Sequence, residues 1–194
     1  MIKAIIFDCF GVVLTDALQL VREELALTDP TGALAITDIV AANNRGMLDP
    51  KESNQQIAEI LGLSVDEFRA KIASGEVRNT ALLNYIVQLK KEYKTAMLSN
   101  IAGSSLRRRF PNDELSTYFD VVVASGDIGY AKPEASAYEA VAEQLGVRLD
   151  ECVFTDDREL FCSAAEGVGM RAIVYAGFAQ FRSELEALLA DSKN

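Results

Sequence analysis

The chain has 194 residues, 49% of them apolar and 25% charged, which fits one packed α/β domain or one such domain carrying an insertion. Lys and Arg number 19 against 29 Asp and Glu, a net charge of −10, and this argues against a broad nucleic-acid or anionic-membrane surface. Histidine is absent, so this chain alone cannot build a Ser-His-Asp triad, a Cys-His pair, a His-ligated zinc or a phosphohistidine, and carboxylates become the first suspects for any chemistry.

In chain order, the first element is a short apolar run, Lys3–Phe7. Asp8 ends it too early for a signal peptide. Residues 16–78 then show no strand pattern and read as four helices. Asp16 caps the first, and Ala33–Asn43 forms the second. Asp49-Pro50-Lys51-Glu52 opens the third with an N-cap, a Pro at the first helical position and a Glu three residues after the cap. Ser64-Val65-Asp66-Glu67 is a capping box that opens the fourth. Leu82, Leu83, Ile86 and Leu89 recur at helical spacing before a second run, Thr95–Leu98. A third run, Val121–Ala124, is followed by helical spacing at Tyr138, Val141, Ala142 and Leu145, with Gly146 at the C-terminal cap position. Cys152–Thr155 and Arg171–Tyr175 are the fourth and fifth runs.

None of the five runs alternates polar with apolar, so each is expected to be buried on both faces, as in a parallel sheet. Strands alternating with helices give an α/β fold, a three-layer Rossmann-like parallel sheet with an inserted helical cap. The expected division is a core of residues 1–15 and 79–194 and a cap of residues 16–78. Cys9, Cys152 and Cys162 are too few and too scattered for a disulfide framework. No run reaches the roughly 18 apolar residues of a membrane span. A cytoplasmic enzyme without membrane or nucleic-acid partners is expected, and its oligomeric state stays open.

Ligands of an open parallel sheet bind at the carboxyl ends of the strands. Those ends carry Asp8-Cys9-Phe10-Gly11-Val12-Val13, Ser99-Asn100, Lys132-Pro133 (after the third run and a loop) and Asp156-Asp157. Three carboxylates, a lysine and a hydroxyl then share a small volume, and like charges that close call for a cation among them. Hard oxygen donors suit Mg²⁺. Plainer readings exist for the same residues: Ser99-Asn100 and Asp156-Asp157 as helix caps, Lys132 as a solvated loop residue, Cys9 as a small buried thiol. Arg107-Arg108-Arg109 reads as a solvated helix surface. Asn43, Asn44 and Arg45 either face a substrate or finish a helix.

The order Asp8, Ser99, Lys132, Asp156-Asp157 resembles the four motifs of the haloacid dehalogenase-like hydrolase superfamily. Ile6–Val13 is similar to the first motif, Leu98-Ser99-Asn100 to the second and Gly129–Pro133 to the third. Val153–Asp157, running on to Met170, is similar to the fourth. Arg45–Pro50 resembles the small helical caps of the sugar-phosphate and epoxide-hydrolase-associated branch. The resemblance implies a phosphatase for a small phosphorylated metabolite, with Asp8 as the nucleophile that forms an aspartyl-phosphate. It implies Mg²⁺ held by Asp8, the main-chain carbonyl of Phe10 and Asp157, with Asp156 behind them or acting through water. Ser99 and Asn100 would bind phosphate, and Lys132 would neutralise Asp8 and the transferring group.

Two positions depart from that pattern. Most phosphatases of the superfamily carry a second Asp two residues after the nucleophile, as general acid and base; here it is Phe10. Phe161 stands four residues past the second acid, where Asn or Asp is usual. These leave two alternatives open: a 2-haloacid dehalogenase-type hydrolase, whose leaving halide needs no proton, and a catalytically weak phosphate-binding or regulatory protein. A Schiff-base phosphonate chemistry would need a cap lysine, and only Lys51 and Lys71 are available.

Overall fold

In a computed structural model describing residues 1–192, five strands form one parallel sheet. They are β1 (Ala4–Phe7), β2 (Lys94–Ser99), β3 (Val121–Ala124), β4 (Cys152–Asp156) and β5 (Arg171–Val174), ordered β3-β2-β1-β4-β5. The chain steps from β1 outward to β3, then crosses back to β4 on the other side of β1. The direction of winding reverses between β1 and β4, and a crevice opens outside the carboxyl ends of the two strands that flank such a reversal. Phe7 is in register with Met97 and with Thr155, so Asp8 leaves the sheet at the level where β2 and β4 also end.

Side chains alternate across a strand, and here both alternating sets are apolar. Ile5, Phe7, Met97, Val153 and Ile173 face one layer, packed by helices α5 (Thr80–Leu89), α6 (Gly103–Arg109), α7 (Leu115–Tyr118) and α11 (Phe178–Asp191). Ala4, Ile6, Leu98, Val123 and Phe154 face the other, packed by α9 (Ala135–Leu145) and α10 (Glu159–Gly167). This is the three-layer α/β arrangement expected from the sequence. Burial on both faces holds for β1, β2 and β4 but not for the two edge strands, where Val122 and Val174 are exposed. An edge strand loses cover on the side where no neighbour's helix reaches it. Helix α11 was not anticipated, although Phe181, Leu185 and Leu189 lie at the i, i+4 spacing of a buried stripe.

The stretch between β1 and α5 contains α1 (Ala17–Ala26), α2 (Pro30–Asn44), α3 (Pro50–Ile60) and α4 (Val65–Gly75). Their starts are chemically specified. Asp16 accepts from the Gln19 backbone N–H at 2.9 Å, Asp29 from that of Gly32 at 2.9 Å, and Asp49 from that of Lys51 at 2.7 Å. Ser64 and Glu67 form the expected capping box. Each cap satisfies one orphan donor and contributes about 1 kcal/mol. The second helix begins at Pro30, earlier than the expected Ala33, because Asp29 caps it and Pro30 fits the first helical position. The four helices enclose their own small apolar cluster, including Val21, Ile36, Ile57, Phe68 and Ile72. They are tied back to the rest of the chain by Arg45 with Glu134 (3.1 Å), Glu76 with Arg109 (2.7 Å), and the Ser125 hydroxyl donating to the Asn44 carbonyl.

Candidate active site

Asp8 follows β1, Ser99 ends β2, Asp156 ends β4 with Asp157 next to it, and Lys132 sits on the loop between the short helix α8 (Ser125–Ile128) and α9. Lys132 is the centre of the group: its Nζ donates to Asp8 Oδ1 at 2.6 Å and to Asp156 Oδ2 at 2.6 Å. Both partners are buried, and Lys132 itself is 3% exposed, so the solvated-loop reading of this residue does not hold. Asp156 also accepts from the Arg158 backbone N–H at 3.0 Å. A carboxylate oxygen from each of Asp8, Asp156 and Asp157 lies within 4.8 Å of the others. The close approach of Asp157 to the first loop requires Gly11, since a Cβ there would come within 2.3 Å of Asp157 Oδ2, and its φ of +86° also favours glycine.

Asn100, read from the sequence as a phosphate contact, has both ends of its carboxamide engaged elsewhere. Its Nδ2 donates to the Lys132 carbonyl at 2.8 Å, and its Oδ1 accepts from the Lys132 N–H at 2.8 Å. The side chain clamps the backbone that presents the lysine. Ser99 is not the cap of α6, whose N-cap is Ala102 without a side-chain bond. Its hydroxyl is buried and has no hydrogen-bond partner, which is costly unless a ligand supplies one. Asp156 and Asp157 do not cap α10 either, whose N-cap is Arg158.

The charges do not balance. Burial pushes the Asp8 carboxyl up to about 7, Lys132 opposing and Asp156 adding to the rise. Burial likewise pushes Asp157 up to about 6, with Asp156 and Asp16 contributing. Burial works against the Lys132 ammonium, but Asp8 and then Asp156 outweigh it, so Lys132 is held charged. Three carboxylates around one ammonium leave a deficit of positive charge, and an orphaned hydroxyl stands at the end of the neighbouring strand. Oxygen donors of this kind fit a hard divalent cation, and the site meets that test on its own geometry.

A cavity of about 640 Å³ lies between these strand ends and helices α1 to α4. Asp8, Phe10, Asn100, Lys132 and Asp157 line it, as do Asn43 and Asn44; Ser99 and Asp156 do not. The Phe10 side chain carries no titratable group, and Phe161 packs 5.2 Å from Lys132 Nζ. The three arginines of α6 are not one solvated surface. Arg107 is exposed and pairs with Asp127, whereas Arg108 and Arg109 line the cavity. Arg109 Nε and Nη2 donate to the Glu76 carboxylate at 2.7 to 2.9 Å, and its guanidinium lies 5.2 Å from the centre of the Phe10 ring. Arg109 and Glu76 were missed from the sequence because only the tertiary fold brings α6 against the end of α4. Burial pushes the Cys9 thiol well above its ordinary value and those of Cys152 and Cys162 up to about 12, so all three free cysteines are inert small side chains.

A family model described as haloacid dehalogenase-like hydrolase matches residues 2–169. The chain belongs to the haloacid dehalogenase-like hydrolase family. It is an enzyme of the hydrolase class with phosphatases among its relatives. A sesquiterpene phosphatase of Aspergillus oryzae is 28% identical over 172 residues, 87% of each chain. In fold, the family enzyme of Bacteroides thetaiotaomicron solved with magnesium and inorganic phosphate superposes with a TM-score of 0.73 at 24% identity, covering 92% of this chain and 96% of that one. The L-2-haloacid dehalogenase of Xanthobacter autotrophicus with chloropropionic acid covalently bound gives 0.61 at 22% identity, covering 89% and 76%. This family scaffold therefore accommodates both chemistries, and fold by itself does not choose between them. No helix among the described residues is long and apolar enough to cross a membrane.

Proposed function

We propose that the protein is a Mg²⁺-dependent phosphatase that transfers the phosphoryl group of a small phosphorylated metabolite to Asp8 and then to water. The observation that carries this reading is the clustering of the Asp8, Asp156 and Asp157 carboxylates within 4.8 Å of one another, with Lys132 bound to the first two. A haloacid dehalogenation would leave Asp157 without a purpose, since a departing halide needs no metal and a further acid beside Asp156 only adds unfavourable charge. Asp8, Asp157 and the main-chain carbonyl of Phe10 would hold the ion, which supplies charge neutralisation for the transferring phosphoryl group.

In this reading the Asp8 carboxylate attacks phosphorus in line, and the aspartyl-phosphate so formed is hydrolysed in a second step. Lys132 favours the ionised form of Asp8 against its burial, orients it, and lowers the repulsion between two anions as they meet. Asp156 anchors the lysine from behind, and Asn100 fixes the lysine's backbone. The Ser99 hydroxyl takes a phosphate oxygen as the partner it lacks. Residues 16–78 act as a cap that closes the crevice and excludes water. Phe10 cannot deliver a proton, so the favoured substrates have leaving groups that depart without one, such as acyl phosphates or sugar 1-phosphates.

Phosphate release from acetyl phosphate and sugar 1-phosphates, with and without Mg²⁺, tests this. Metal-dependent release that disappears in Asp8→Asn supports it. Halide release from 2-haloacids without metal, or silence equal to that of Asp8→Asn across the phosphate panel, refutes it.

A further inference from the structure

The cavity is far larger than a phosphate group, and its far wall differs in character from its base. Helices α1 to α4 line it with apolar side chains, among them Val40, Ile57 and Phe68, yet they also place Arg22, Lys51 and Arg69 on it, and α6 adds Arg108. In a chain of net charge −10, these four cations, and Arg158 which lines the same cavity beside Asp157 and stacks on Phe161, have no carboxylate within ion-pairing distance among the described residues. Arg109, by contrast, is neutralised by Glu76. The Arg22 Nη1 donates to the Thr37 hydroxyl at 3.3 Å, but its Nε is fully buried with no acceptor. A buried donor on a charged group left unmatched is costly, and a ligand acceptor removes that cost.

We infer that the leaving group carries a second anion, a carboxylate or a second phosphate, on an apolar body. Its reacting phosphate lies at Asp8 and Lys132, its body crosses the apolar wall, and its far anion is received by Arg22 with Lys51 and Arg69. Arg108, on α6, adds to the positive field of the cavity. This rests on the phosphatase reading for the position of the first anion. It goes beyond that reading in naming what the cap recognises, and it gives a reason for the cations that the phosphoryl chemistry leaves unused. A plain alkyl group would leave Arg22 Nε as unmatched as it is without ligand, and among acyl and sugar phosphates the inference favours those whose leaving group carries a further anion.

The test uses non-hydrolysable probes on the full chain with Mg²⁺, so that leaving-group chemistry does not enter. Alkylphosphonates from propyl to decyl are compared with the same chains ending in a carboxylate and in a second phosphonate, by titration calorimetry. The expected result is roughly 10- to 100-fold tighter binding for a doubly anionic probe at one best chain length, the worth of a charge-assisted hydrogen bond. The carboxylate and phosphonate ends distinguish the two sources of the anion. Arg22→Met is expected to abolish the difference between singly and doubly anionic probes. Should that variant not fold, the exposed pair Lys51→Gln and Arg69→Gln is expected to narrow the same difference. Indistinguishable affinities for the three ends, or a preference that survives these variants, overturns the proposal while leaving phosphate release as the measure of the enzyme reading. Absence of phosphate release with the preference intact reverses that outcome: the second-anion site stands and the phosphatase reading falls.

Discussion

The strand-end cluster and the helical block above it solve opposite problems. At the strand ends, charge is buried and held in place: Lys132 binds two carboxylates at 2.6 Å each, its own backbone is held by Asn100, and the third carboxylate, Asp157, leaves the cluster short of positive charge. In the helical block, charge is exposed or half-buried, and Arg22, Lys51 and Arg69 have no carboxylate partner among the described residues, over a small apolar cluster closed by four capped helices. Rigid parallel strands can hold buried ions in register because their ladders and both packed faces resist rearrangement. Helices tied down by a few ion pairs offer a wall that a ligand completes. On the proposed reading, chemistry is set by sheet topology and selectivity by the insertion.

The sharpest way to break this comparison is Asp8→Asn, expected to lower turnover by roughly 10⁴- to 10⁶-fold in phosphate-release assays while the helical block keeps its binding preference. Phe10→Asp comes next. If the missing acid limits the rate, turnover of poor leaving groups rises by up to about 10²- to 10⁴-fold, with little gain on acyl phosphates. A fall on every substrate removes Phe10 as the cause. Lys132→Met leaves Asp8 and Asp156 facing each other without their shared cation, and is expected to cost about 3–5 kcal/mol of stability in the absence of metal. Chemical denaturation measures this, and Mg²⁺ is expected to restore part of the loss.

Ser99→Ala separates ligand binding from fold. Removing an unpartnered buried hydroxyl leaves ligand-free thermal stability unchanged or raised, while affinity for inorganic phosphate falls by roughly 10-fold. A loss of stability without loss of phosphate affinity reverses the assignment. The smallest effect lies away from both regions. The Glu151 carboxyl is held down to about 2, against an ordinary 4.5, first by the Lys3 ammonium and then by the Arg148 backbone N–H. A depressed carboxyl contributes stability above its unfolded value, and this is lost as pH falls from about 4.5 toward 2. Glu151→Gln is therefore expected to be less stable than the parent at neutral pH, and the difference is expected to shrink through that acid window in thermal melts.

Much of this protein is written locally. The five apolar runs, the helix starts at Asp16, Asp49-Pro50 and Ser64-Glu67, and the Gly146 stop depend on residues a few positions apart, which is why they are legible in the sequence; the Asp29-Pro30 start is equally local but the reading from Ala33 passes over it. Period and flanking polar residues also place Asp8, Ser99 and Asp156-Asp157 at strand ends and Lys132 on a loop beyond the third strand. Helix α11 was equally legible, through Phe181, Leu185 and Leu189.

Other features depend on residues distant in the chain, and no local pattern encodes them. The reversal between β1 and β4 decides that Asp8 and Asp156 share one lysine. Asn100 turns from a phosphate contact into the clamp on Lys132 because a loop 32 positions later folds against it. The Arg107-Arg108-Arg109 run divides between solvent and cavity according to how α6 meets the end of α4, where Glu76 waits. Zero histidines and a surplus of acid follow from composition alone. Which carboxylates are buried together, and which cations are left unpaired across from them, was decided only by the tertiary packing, because burial and distance set the energy of a charge far more than its place in the chain.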